Sequence, residues 1–125
     1  FINICAASYL CGMTDVLFPY EQLRSFALNV FTTIGCPAED AALASDVLLS
    51  ADLRGIDSHG LARLSGYVRL WEAKRINTNP QVKVIYETPS TAVVDGDAGL
   101  GLVVAPKAMQ VAIDKAKQAG TGWVS

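Results

Sequence analysis

Apolar residues recur at helical spacing through the first part of the chain, and shorter β-rich runs follow. After Pro19, the residues Leu23, Phe26, Ala27, Val30 and Ile34 repeat at three and four, the stripe of an amphipathic helix ending at Gly35. Pro37 at a first-turn position, with Glu39 and Asp40 behind it, predicts a second helix. Its buried side is Leu43, Val47, Leu48 and Ala51, its many alanines allow close approach, and Gly55 stops it. Leu61, Leu64, Val68 and Trp71 predict a third helix over about 60–74, with Tyr67 and Trp71 in the core. After a connector at 76–80, residues 82–87 and 91–95 read as two strands or a hairpin around Thr88-Pro89-Ser90. Val104, Ala108, Val111, Ala112 and Ala116 form the small-residue face of a last helix, with Lys115 and Lys117 near its end and Gly120 as its stop. Residues 122–125 then begin a strand. The fold class is α/β: a helical segment, then short strands and a helix.

The length of 125 residues fits one domain, and 51% hydrophobic residues are ample for a core. A net charge of −2 with scattered basic residues gives no electrostatic case for nucleic acid. The three cysteines, Cys5, Cys11 and Cys36, are odd in number and lack Cys-x-x-Cys spacing. Neither a disulfide framework nor a metal site is supported, and a reducing, cytoplasmic setting is the simpler expectation.

The candidate chemistry lies between the second and third helical patterns, in Asp52-Leu53-Arg54-Gly55-Ile56-Asp57-Ser58-His59-Gly60-Leu61-Ala62-Arg63, which holds the chain's single histidine. Asp57 or Ser58 is expected to cap the third helix, which places His59 at a helix start, where free N–H groups favour an anion. Arg63 follows one turn later on the same face. A guanidinium can grip a carboxylate in two places while an imidazole exchanges a proton with a neighbouring oxygen, and Ser58 could orient the ring. The alternative is a plain helix cap in a non-catalytic helical interaction domain. It gives no reason for a histidine followed by an arginine.

This segment, with Arg63 and Tyr67 after it, resembles the signature of the type 2 malate/L-lactate dehydrogenase family, and the resemblance runs from about Val16 to the end of the chain. It implies the non-Rossmann fold of that family and NAD- or NADP-dependent interconversion of a small 2-hydroxy acid and its 2-oxo acid. His59 matches the proton donor and acceptor, Ser58 its relay partner, and Arg63 the residue that binds the substrate carboxylate. A homodimer is implied for the complete protein. A cyclic imino-acid (C=N) reductase of the same family would use the same acid and arginine. In this family the chain continues well beyond this length and carries most of the cofactor site. Residues 13–125 therefore resemble an N-terminal portion, expected to be inactive alone, and no cofactor-binding residue is assigned.

Gly96, Gly99 and Gly101 lie between a strand and a helix in the order Gly-x-x-Gly-x-Gly, which is not the Rossmann phosphate turn. Tight-turn geometry with positive φ is the expectation for them, ahead of close approach to a ligand. Residues 1–12 are apolar with no preceding Lys or Arg, unlike a secretory signal, and too few to span a bilayer. Since the family-like pattern starts after Met13, Met13 is the expected start and 1–12 an upstream or disordered extension, with an apolar strand or arm as the alternative.

Overall fold

A computed structural model describes residues 2–4 and 16–125. Met13, Cys5 and Cys11, and most of the expected extension at 1–12, lie outside the described residues. The chain forms two compact units, Phe1–Lys74 and Arg75–Ser125.

In the first unit, β1 (Ile2–Ile4) pairs antiparallel with β2 (Val16–Phe18), and α1 (Tyr20–Thr33) packs on α2 (Ala38–Leu53). Small residues set the spacing of the two helices: Ala27, Ala41, Ala44 and Ser45 are fully buried beside Phe31, Leu48 and Leu49. Ser45 is tolerated there because its hydroxyl donates to the Ala41 carbonyl at 2.7 Å. Arg24 on α1 forms a two-pronged contact with Asp46 on α2, at 2.6 and 3.0 Å. Both helices stop as expected. Gly35 and Gly55 take φ 96° and 71°. Each glycine N–H bonds back three residues, and the N–H of the following residue bonds back five, to Phe31 and Ala51 respectively, a closure that satisfies the orphan carbonyls of the last turn.

Four expectations for this unit need correction. The buried stripe of α1 is Leu23, Ala27 and Phe31, whereas Phe26 is 56% exposed. On α2 it is Ala41, Ala44, Ser45, Leu48 and Leu49, with Leu43, Val47 and Ala51 only half-buried. The third helix is shorter than its apolar stripe: 57–63 form two 3₁₀ turns, Asp57–His59 and Leu61–Arg63, and α3 runs only from Leu64 to Glu72. Trp71 on α3 is 40% exposed and lies outside the core, while Tyr67 is half-buried with its ring 6.4 Å from that of Phe31.

In the second unit β3 (Lys83–Glu87) and β4 (Thr91–Asp95) form the expected hairpin, with a bulge between Val84 and Tyr86. α4 (Gly101–Ala119) ends at Gly120 with φ 81°, and β5 (Trp123–Val124) returns parallel to β4, giving the order β3-β4-β5. A parallel return needs a crossover, which α4 provides. Lys115 ties α4 to the hairpin, donating to Glu87 at 3.0 Å and to the Thr88 carbonyl at 2.7 Å. Ala92, Leu100 and Val103 form the buried centre.

The glycine loop departs from its expected geometry. Positive φ belongs to Asp97 and Ala98, both at 51°, and not to the glycines. A Cβ on Gly99 would lie 2.7 Å from Pro80 and 2.8 Å from Val104, and one on Gly96 would lie 2.8 Å from Val104. These two glycines admit neighbouring side chains against the backbone. Asp97 tolerates the left-handed conformation as a short polar residue, and its carboxylate accepts from Asn77 Nδ2 and the Gln81 N–H, both at 2.9 Å. Among the described residues no helix is long and apolar enough to cross a membrane, and no group of side chains has a metal-binding arrangement.

Candidate functional site

The end of α2 directs the chain into the site. Gly55 turns the backbone after Arg54, and two successive 3₁₀ turns carry it to α3, closed by N–H···O bonds from His59 to Ile56 at 2.9 Å, Gly60 to Asp57 at 3.3 Å and Arg63 to Gly60 at 2.9 Å. Leu61 and Leu64, 8% and 5% exposed, anchor the second turn, while Ser58, His59 and Arg63 face solvent.

The three candidate residues are brought together. Ser58 Oγ lies 2.9 Å from His59 Nδ1, and Arg63 Nε donates to the Ser58 carbonyl at 2.6 Å. Since α3 begins only at Leu64, Arg63 reaches this group through that backbone contact and not through a shared helical face. The helix-start environment expected for His59 is likewise absent, because His59 ends a 3₁₀ turn one full turn ahead of α3.

Neither Asp57 nor Ser58 makes a capping hydrogen bond. The Ser58 hydroxyl is taken by His59. Asp52, on the last turn of α2, reaches across the loop instead: its Oδ2 accepts the Leu61 N–H at 2.8 Å. Gly60 passes so close that a Cβ there would fall on the Asp52 carboxylate. Burial pushes the Asp52 carboxyl above the usual carboxylate range, the nearby Asp57 adds to the rise, and the Leu61 N–H opposes it. Sequence spacing did not single out Asp52, because a contact spanning nine residues across a glycine turn has no periodic signature.

Beside this turn, Leu61, Ala62, Leu64, Ser65 and Val68 line an open apolar groove of about 360 Å³ with Phe26 and Val30. That groove accounts for the two α1 residues that miss the core. In the second unit, the space beside Gly96 and Gly99 is filled by Val104 and Pro80, and no cofactor contact is assigned to the glycine loop. An imidazole can exchange a proton and a guanidinium can grip a carboxylate, and neither can carry hydride.

The profile of a family described as malate/L-lactate dehydrogenase matches residues 18–125. A malate dehydrogenase from Pyrococcus abyssi is 48% identical over 110 residues, covering 88% of this chain and 30% of that protein. An L-sulfolactate dehydrogenase from Methanocaldococcus jannaschii is 44% identical, covering 84% of this chain and 30% of that protein. The solved structure of malate dehydrogenase from Pyrococcus horikoshii superposes with a TM-score of 0.84 at 46% identity, covering 87% of this chain and 31% of that one. The chain thus spans about 30% of the length of these relatives.

Proposed function

Because the chain belongs to the malate/L-lactate dehydrogenase family, we propose that the complete protein is an NAD- or NADP-dependent oxidoreductase that interconverts a small 2-hydroxy acid, of the malate or L-lactate type, and its 2-oxo acid. The observation that carries this is the joined group in which Ser58 Oγ meets His59 Nδ1 at 2.9 Å and Arg63 Nε holds the Ser58 carbonyl at 2.6 Å.

His59 is the proton carrier. By accepting a hydrogen bond from Nδ1–H, Ser58 leaves Nε2 as the atom that gives a proton to the substrate's carbonyl oxygen in reduction and takes it from the hydroxyl in oxidation. Arg63 commits one of its five N–H donors to Ser58, and its terminal NH₂ groups receive the substrate carboxylate. When bound, the nicotinamide nucleotide supplies or accepts the hydride at the substrate's second carbon. The same proposal makes the complete protein a homodimer of the cytoplasm.

The test is turnover by the complete protein, followed by nicotinamide absorbance, with oxaloacetate, pyruvate, a sulfonated 2-oxo acid and a cyclic imino acid. Reduction of at least one 2-oxo acid is expected. Turnover of the imine alone, or of none of them, contradicts the proposal.

A further inference from the structure

We infer that Asp52 is a positioning residue for the Ser58–His59–Arg63 group, holding the two 3₁₀ turns in one conformation through the Leu61 N–H; this rests on the functional proposal above. The turns have few anchors of their own. Their internal bonds are single i to i+3 contacts, and residues 57–59 are all exposed. From α2, the Asp52 side chain reaches this loop, its Oδ2 accepting the Leu61 N–H at 2.8 Å. Leu61 lies between the proton carrier and the clamp, so fixing its backbone fixes both arms.

Two further observations support a fitted contact. Gly60 is packed on the Asp52 carboxylate so closely that no side chain fits between them. Asp52 also stands in the last turn of α2, at the negative end of the helix dipole and within reach of Asp57, an electrostatically poor place for a carboxylate. Its acceptor is therefore the property that the site uses. Asn retains an acceptor oxygen of the same reach, and Ala does not.

The test compares the parent, Asp52→Asn and Asp52→Ala in the complete protein, by steady-state kinetics with a 2-oxo acid and by amide hydrogen exchange of the peptide covering 57–63. Displacement of both arms predicts a loss of about 10- to 100-fold in kcat/KM for Asp52→Ala, shared between kcat and KM. Asp52→Asn should stay within about threefold of the parent, since its oxygen still accepts the Leu61 N–H. Exchange at 57–63 should rise in the alanine variant alone. Should Asp52→Ala fail to fold, Gly60→Ala, which forces a methyl onto the carboxylate from the other side, should reproduce its exchange and kinetics. Faster exchange with unchanged kinetics would overturn the positioning role, as would Asn damaging the kinetics as much as Ala, or unchanged exchange in the alanine variant. A parent inactive on every 2-oxo acid would instead sink the functional proposal, and exchange alone would then decide whether Asp52 holds the turn.

Discussion

Arg63 donates from Nε to the Ser58 carbonyl at 2.6 Å, and in the proposed mechanism its remaining donors bind the substrate carboxylate. Lysine offers neither the fork nor the lateral Nε, so Arg63→Lys is not conservative here. Loss of a charge-assisted contact is worth about 1.5–3 kcal/mol, and KM for the 2-oxo acid should rise roughly 10- to 150-fold, with a smaller change in kcat. Asp52 has a separate, pH-dependent signature. Its folded pKa is raised, chiefly by desolvation, so its contribution to stability is fully present below the ordinary carboxylate pKa and is lost as pH rises through the folded value. Asp52→Asn, which cannot ionise, should therefore have the higher Tm at pH 7, and the gap should close as the pH is lowered through the carboxylate range. A gap that widens on acidification would contradict the assigned cause. Single residues also limited what the sequence could reveal. The adjacency of Ser58 and His59 made their contact legible, whereas the Asp52 contact depends on where Gly55 turns the chain.

The helices were legible where punctuation and periodicity agreed. Gly35, Gly55 and Gly120 stop α1, α2 and α4 in the left-handed conformation that their positions announced. Periodicity alone did not choose between neighbouring stripes. Phe26 and Phe31 both sit at helical spacing from Leu23, and the choice of Phe31 for the core comes from the packing of α1 on α2. The start of the third helix, expected at about residue 60, read as α-helix because Leu61, Leu64 and Val68 fit its period. Its N–H groups bond back three residues, Gly60 to Asp57 and Arg63 to Gly60, so it forms 3₁₀ turns, with the Leu61 N–H held by Asp52 from outside the run. The loop at 96–101 misled for a related reason, since glycine marks both positive φ and close approach, and here the close neighbours are Pro80 and Val104. This predicts a contrast between two glycines two residues apart. Gly99→Ala should destabilise by about 1–3 kcal/mol, as overpacking does. Gly101→Ala, with nothing within 4 Å of its added methyl, should be neutral or stabilising by about 0.4–1 kcal/mol. Denaturant unfolding of both variants checks this, and equal effects would contradict it.

At the scale of the whole molecule, the family match covers residues 18–125 while the chain spans about 30% of its relatives' length. The fold class and the family were legible because the Ser-His-Gly segment lies within this part, along with the helices that carry it. Ser58, His59 and Arg63 sit in the first unit on one short loop, so the roles proposed for them depend on a single local conformation. The central claim is that His59 moves the proton. Its most direct test is kcat of the complete protein and of a folded His59→Ala variant on the best 2-oxo acid of the panel. The account predicts a fall of about 10²- to 10⁴-fold, the usual contribution of a general acid. A folded variant whose kcat stays within a few-fold of the parent's would contradict it.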